Sequence, residues 1–238
     1  MTMQLPDEIP ILRILLHPIP NLLSTLVDQI LNPSASGANV YDPIVPLQTT
    51  GNKTPIFFVH PGVGEVLIFV NLAKYFYAFR ARGFNKDQPV FTSMEEMVTC
   101  YAEAMQKPYA IAGYSYGGVI TYEVAKVLES RSEEVKFVGL INIPPHIADR
   151  MHEINYTSGM LNLSYFSGLV TKQDIHDSAE PLSKFPKEVQ LQKVWDMAPP
   201  ERLHELQLSI PKLDHWVCIA RSLIERGKSY VPRGSVSE

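Results

Sequence analysis

The segment IAGYSYGG, residues 111–118, holds a serine at a spacing that nucleophilic catalysis uses. Gly113, Ser115 and Gly117 fit the pattern G-x-S-x-G, in which a sharp strand-to-helix turn exposes a serine hydroxyl. Such a turn needs neighbours without side-chain bulk, because the serine backbone is strained there. The pattern therefore predicts that Ser115 is a nucleophile. The alternative is a turn of small residues that only packs a helix on a sheet.

A serine nucleophile needs an imidazole to accept its proton and a carboxylate to orient that imidazole, in the chain order serine, acid, histidine. The histidines that follow Ser115 are His146, His152, His176, His204 and His215. All of them lie in a predicted helical stretch, and none follows a predicted terminal strand. His215 is the best of these weak candidates, and we expect the general base to lie outside residues 1–238.

Catalysis by serine also needs two backbone N–H groups that stabilise the oxyanion. Tyr116, the residue after the nucleophile, is expected to supply one of them. The loop HPGVGE, residues 60–65, follows a predicted strand, and we expect Val63 to supply the other. His60 is interpreted as a brace that holds this loop by hydrogen bonding rather than as a catalytic residue.

The elements that must position these residues alternate as in a parallel α/β sheet. Strands are predicted at 55–60, 77–81, 109–114 and 135–143, and helices at 64–76, 93–106 and 117–130. Ser93 and Glu96 predict a capping box at the start of the second helix. The first helix, ending at Phe76, adjoins the strand beginning at Tyr77 without a connection, so we expect residues to be missing at this seam.

Four segments follow from this pattern. Residues 1–32 hold two short apolar helices that cannot form a core of their own. Residues 33–53 are rich in Asn, Ser, Gly and Pro and are predicted to be a linker. Residues 54–143 form an α/β core, and residues 144–238, with helix patterns and no convincing strand, form a helical lid. The fold class is α/β, an α/β-hydrolase fold with a mostly parallel sheet, whose last strands are expected outside these residues.

Composition and charge argue against several classes of function. The 238 residues are 45% hydrophobic and 19% charged, which is enough for one sizeable core. The net charge is −4 without a long basic run, which argues against a nucleic-acid or membrane partner. Cys100 and Cys218 lack metal-ligand spacing, so we expect no metal and no bound cofactor. The N-terminus lacks signal features and no apolar run could span a membrane, so we predict a cytoplasmic protein.

Four stretches, PIFFVHPGVGE, YAFRARGF, YAIAGYSYGGVITYEVAKVLE and FVGLINIPPHI, resemble a known family. Over most of residues 54–146 they are similar to a type I thioesterase domain, the terminal module of nonribosomal peptide and polyketide synthetases. The resemblance implies that Ser115 accepts an acyl group from a phosphopantetheine thioester and releases it. The tail at residues 4–31 resembles the last helices of a carrier domain. This implies that the partners are a thiolation (carrier) domain and an adenylation domain of the same polypeptide.

One position departs from the family pattern. In many such domains the triad aspartate follows the strand after the serine turn, but the matching position here is Asn142. An amide can hydrogen-bond an imidazole but cannot stabilise the imidazolium by charge. Three possibilities stay open: the acid comes from a later strand, the site works with a weaker base, or Asp149 takes the role.

The stretches RARGFN and GLINIPPHI also resemble thioesterases of fungal adenylation-thiolation-thioesterase synthetases that join two aryl pyruvates into quinones or furanones. The resemblance implies carbon-carbon condensation of two arylpyruvoyl units before release. The alternatives are a hydrolytic, cyclising or proofreading thioesterase, and a non-catalytic module that docks carrier domains. Four aromatic residues of the lid either line an aryl pocket or belong to ordinary core: Tyr156, Tyr165, Phe166 and Trp195.

Overall fold

The structure, a computed structural model, describes residues 41–47, 54–72, 76–84, 88–105, 107, 109–142 and 145–236. Residues 1–32, interpreted above as the end of a carrier domain, lie outside the described residues. The strands of the described part are β1 Ile44–Pro46, β2 Ile56–Val59, β3 Phe76–Phe79, β4 Tyr109–Tyr114 and β5 Val135–Ile141.

These strands form one sheet in the order β1-β3-β2-β4-β5. β1 pairs antiparallel with β3, and all other neighbours pair in parallel. The predicted α/β class with a mostly parallel sheet is therefore confirmed. β2 and β4 lie side by side with Val59 opposite Gly113. Because the carboxyl ends of adjacent parallel strands meet at one edge of the sheet, the loop after β2 and the turn after β4 are neighbours.

Helices separate the later strands and follow the last one along the chain. The α-helices in the described part are α1 Met94–Ala104, α2 Tyr116–Ser130, α3 Ala148–Glu153, α4 Tyr156–Phe166, α5 Lys172–Ser183, α6 Lys187–Met197, α7 Pro200–Glu205 and α8 Ile210–Lys228. Within the described range 145–236 the chain contains helices α3 to α8 and no strand. α8 is the longest of them and packs against α3, α4 and α6. Its buried face repeats apolar residues at helical spacing, among them Leu213, Trp216, Ala220 and Leu223.

Two features of the first part of the chain differ from the expectation from sequence. Residues 44–46 lie in the predicted linker, but they form β1, with Ile44 opposite Phe79. This three-residue edge strand was not predicted because the residues around it are typical of turns. Its strand conformation depends on pairing with β3.

The seam between Phe76 and Tyr77 also differs from expectation. Both residues lie in β3 and continue one parallel register, opposite Ile56 and Phe57. The helix predicted over 64–76 is instead a 3₁₀ helix, Leu67–Leu72, so residues 73–75 separate it from β3.

The predicted capping box at α1 is half formed. Ser93 Oγ accepts a hydrogen bond from the Glu96 backbone N–H at 3.1 Å. The Glu96 carboxylate does not return to Ser93; it accepts from the Thr92 N–H and hydroxyl at 2.7 and 2.6 Å and pairs with Arg82. The Glu96 carboxylate therefore binds Arg82 and Thr92 instead of the Ser93 backbone N–H that a capping box would use.

Candidate active site

Ser115 lies between the end of β4 and the first residue of α2. Its backbone has φ 57° and ψ −122°, a conformation that non-glycine residues rarely adopt. The Ser115 N–H donates to the Ile141 carbonyl at the end of β5, with an N···O distance of 2.9 Å. Its half-buried side chain makes no capping hydrogen bond to α2, so the hydroxyl is not engaged by its own helix.

The glycines on both sides of Ser115 are required by close backbone contacts. A Cβ atom on Gly113 would overlap the Gly117 carbonyl group, and a Cβ atom on Gly117 would overlap the carbonyl oxygens of Val59 and His60. The G-x-S-x-G spacing therefore has a steric cause in this fold. We call residues 113–117 the serine turn.

The 60–65 loop contacts the start of α2. A Cβ atom on Gly62 would lie 3.4 Å from Cβ of Tyr116. Gly64 closes a turn by donating to the Pro61 carbonyl at 2.9 Å, and its φ of 79° favours glycine. The loop thus brings Val63, which is buried, to the same edge as Tyr116. Their role as oxyanion donors stays a prediction.

His60 is fully buried at the beginning of this loop. Its Nδ1 lies 2.8 Å from the Pro61 carbonyl oxygen, and its Nε2 lies 3.0 Å from the Tyr101 hydroxyl. Because a carbonyl can only accept, Nδ1 carries the hydrogen and Nε2 accepts from Tyr101. Burial lowers the pKa of His60 to about 4, so the ring is neutral at pH 7. Both ring nitrogens are occupied, which agrees with a brace rather than a general base.

An ion pair that was not predicted from the sequence anchors the end of the loop. Glu65 is buried, and its Oε1 accepts a hydrogen bond from Arg80 Nε at 2.6 Å. Its other oxygen accepts from the Val66 N–H at 3.1 Å. Arg80 directly follows β3 and lies over the Phe84 ring at 4.5 Å. The signal was present as a lone carboxylate inside the apolar run GVGEVLIFV.

The structure brings Asn142 near the serine turn. Asn142 is exposed, has φ 80°, and directly follows Ile141, whose carbonyl binds the Ser115 N–H. His215 instead lies 2.6 Å from the Gly83 carbonyl through Nε2. Among the described residues, no histidine hydrogen-bonds to Ser115. Asp149 is exposed in the first turn of α3.

One of the four aromatic lid residues contacts the serine turn, and a second lies beside it. Phe166, the last residue of α4, meets the Tyr114 ring edge-to-face at a centroid distance of 6.4 Å, and Tyr165 lies 5.7 Å from Phe166. Tyr156 lies elsewhere, beneath the cations of Lys187 and Arg221 at 5.1 and 5.6 Å.

Other features of the described residues lie apart from this site. A cavity of about 670 Å³ is lined by the start of α1, by α2 and by the end of α8, and not by the serine turn or the 60–65 loop. In the part of the chain that the structure describes, no His, Cys, Asp and Glu side chains cluster as metal ligands. No described helix is both long and apolar enough to cross a membrane.

Residues 54–163 match the protein family described as "Thioesterase domain". Among curated proteins, atromentin synthetases of Tapinella panuoides and Suillus grevillei are 67% and 64% identical to 97% of this chain. An "inactive atromentin synthetase" of Paxillus involutus is 53% identical over the same share. The chain spans about a quarter of the length of these relatives, 25% in each case.

Solved structures share the fold at low sequence identity. The four-domain nonribosomal peptide synthetase holo-AB3403, bound to AMP and glycine, superposes with a TM-score of 0.66 at 18% identity, covering 87% of this chain and 17% of that one. The Vlm2 thioesterase domain bound with a dodecadepsipeptide gives 0.55 at 22% identity, covering 80% and 74%. At these identities the likeness concerns the fold.

Proposed function

From the match of residues 54–163 to the thioesterase domain family, we propose that this chain releases acyl groups from a phosphopantetheine carrier through Ser115. The observation that carries the proposal is the strained backbone of Ser115 between β4 and α2. Strain of this kind persists only where the surrounding structure holds it, and it is concentrated at functional sites.

The chemistry begins when Ser115 Oγ attacks the carbonyl carbon of the thioester and a general base takes the hydroxyl proton. The N–H groups of Tyr116 and Val63 stabilise the tetrahedral oxyanion. The carbon-sulfur bond then breaks, and the proton passes to the departing phosphopantetheine thiolate. The acyl group remains on Ser115 as an ester. In this proposal Asn142 hydrogen-bonds the imidazole that serves as base, and the described residues do not supply that imidazole.

We further propose that the acyl group is an arylpyruvoyl unit and that two units condense before release into a quinone or furanone. The identity to atromentin synthetases, 62% to 67% for six of them, supports this substrate class. An amide at the Asn142 position leaves the base weaker, because it adds no negative charge beside the imidazolium. A weaker base lets the acyl-enzyme last until the second unit arrives.

The partners in this proposal are a thiolation (carrier) domain and an adenylation domain of the same polypeptide. We assign residues 1–32 to the end of the carrier domain, residues 54–143 to the thioesterase core and residues 144–238 to its lid. The domain itself binds no cofactor, since the phosphopantetheine arm belongs to the carrier. The length of the relatives, about four times that of this chain, supports these partners.

The test loads the carrier of the intact protein with an arylpyruvoyl unit and follows Ser115 peptides and released products by mass spectrometry. We expect a transient acyl ester on Ser115 and a condensed product, and neither in Ser115→Ala. Ser130→Ala, which removes a hydroxyl on the surface of α2, is the matched control and should behave as wild type.

The other outcomes separate the alternatives. Release of hydrolysed monomer alone would make the domain a hydrolytic or proofreading thioesterase. A folded wild-type protein that binds the carrier but never carries an ester on Ser115 would be a docking module. The relatives named as inactive, at 53% and 54% identity, make this second candidate worth testing.

A further inference from the structure

We propose that Tyr114, Tyr165 and Phe166 form the binding subsite for the aromatic ring of the acyl group on Ser115. We call these three residues the aromatic strip. The inference rests on the proposed function, because these residues would bind the acyl group that Ser115 receives in that reaction. It names residues that decide between aryl and alkyl acyl groups.

The position of Tyr114 follows from the alternation of side chains along β4. Gly113 faces α2, since a Cβ atom there would overlap Gly117 and approach Thr121. Successive side chains of a strand point to opposite faces, so Tyr114 faces away from α2. It is half-buried and directly precedes the nucleophile. Its ring therefore lies on the sheet face opposite α2, next to the serine turn.

The neighbouring strand extends this wall. Ile141 of β5 is the register partner of Tyr114, so both side chains point to the same face. The Ile141 side chain is 44% exposed, and its carbonyl holds the Ser115 N–H. Ile141 and Tyr114 therefore form one apolar surface, and this surface adjoins the nucleophile because the backbone of Ile141 is hydrogen-bonded to that of Ser115.

Helix α4 adds the other two rings. Its interior residues Met160, Leu161 and Leu163 are fully buried and hold the helix in the core. Phe166 and Tyr165 lie at its C-terminal end; Phe166 is half-buried and packs partly against the core, and Tyr165 is 42% exposed. Exposed aromatic side chains that lie together beside a reactive group indicate a binding surface.

The ring geometry suits an aryl ligand. Tyr114 and Phe166 meet at an interplanar angle of 86°, and Tyr165 and Phe166 at 51°. Aromatic rings attract one another in edge-to-face or offset arrangements at 4.5–7 Å, and the attraction adds to ordinary area burial. A saturated ring of similar size would gain the burial but not this term. Each aromatic contact should change affinity by about 2- to 12-fold.

The test measures binding without chemistry. The intact protein with Ser115→Ala is titrated by calorimetry with S-(2-oxo-3-phenylpropyl)pantetheine and with its cyclohexyl analogue. We expect tighter binding of the phenyl compound. Phe166→Leu and Tyr165→Leu should each weaken phenyl binding by about 2- to 12-fold and leave cyclohexyl binding nearly unchanged. Phe185→Leu is the control, because Phe185 is an equally exposed aromatic side chain of the lid, 43%, that lies away from the strip beneath Lys193.

Two results would overturn the inference: equal affinities for the two compounds, or equal losses for both in the strip variants. Tyr165→Leu decides the matter if Phe166→Leu fails to fold, because the Tyr165 side chain is largely exposed. The proposed function is judged separately. Selective phenyl binding without an ester on wild-type Ser115 would leave the subsite standing and remove the function. An ester on Ser115 with an unchanged phenyl preference in the strip variants would do the reverse.

Discussion

Ser115 keeps its strained backbone because three close approaches leave no room for side chains on the flanking glycines. Gly113 faces the Gly117 carbonyl, and Gly117 faces the end of β2. These contacts pack β4, α2 and the end of β2 closely against one another. The strained backbone of Ser115 is therefore maintained by the packing of all three elements. The same contacts make the glycines sensitive to the smallest substitution.

Gly113→Ala should lower the free energy of unfolding by about 3 kcal/mol or more, because the added Cβ has backbone atoms rather than a flexible side chain to displace. Urea titration monitored by circular dichroism measures the change. Gly62→Ala is the control from the same edge, since its Cβ would meet Tyr116 at an ordinary 3.4 Å. It should cost less than about 1 kcal/mol. Equal stability of the two variants would contradict the steric account.

The buried imidazole of His60 predicts a loss of stability in mild acid. Its pKa is about 4 in the folded protein, against about 6.5 when unfolded. Between these values the unfolded chain binds a proton that the folded protein does not, so the free energy of unfolding falls as the pH falls. From pH 7 to pH 5 the loss is about 2 kcal/mol.

Urea midpoints at pH 7 and pH 5 measure this contribution, and the range stays above the region where carboxylates protonate. His60→Asn, which can still donate to the Pro61 carbonyl, should lack it. An identical pH dependence in wild type and His60→Asn would show that His60 is not held neutral by burial.

At the scale of elements, the 60–65 loop depends on the Glu65–Arg80 pair. Arg80→Met would leave the buried Glu65 carboxylate without its cation, and we expect a loss of about 3–5 kcal/mol in the free energy of unfolding. Arg150→Met removes an exposed pair with Glu153 and should cost less than about 1 kcal/mol. Thermal unfolding of both variants makes the comparison. A stable Arg80→Met protein would mean that the loop is held by its backbone contacts alone.

The sequence predicts well those elements that are determined by residues close together in the chain. β4 and α2 follow from an apolar run, a helical repeat and two glycines, and the structure has them at Tyr109–Tyr114 and Tyr116–Ser130. β1 and the 3₁₀ helix Leu67–Leu72 were missed, because pairing with β3 and packing on the sheet decide them. Glu96 was assigned to a capping box, but Arg82 and Thr92, which lie outside that motif, take its carboxylate.

At the scale of the whole molecule, the candidate site forms where separate parts of the chain meet. Sheet order places the loop after β2 beside the turn after β4, and α4 carries Phe166 to Tyr114. No spacing rule in the sequence relates these residues, so the contacts could not be predicted from it. The serine turn could be predicted because its requirement is steric and confined to five positions.

In the proposed reaction, Ser115 is an activated nucleophile. The most direct measurement is the intact mass of the purified full-length protein after reaction with an aryl fluorophosphonate, followed by peptide mapping. We expect one adduct, located on Ser115, absent from Ser115→Ala and retained in Ser130→Ala. A folded wild-type protein without an adduct, or an adduct that persists in Ser115→Ala, would contradict it.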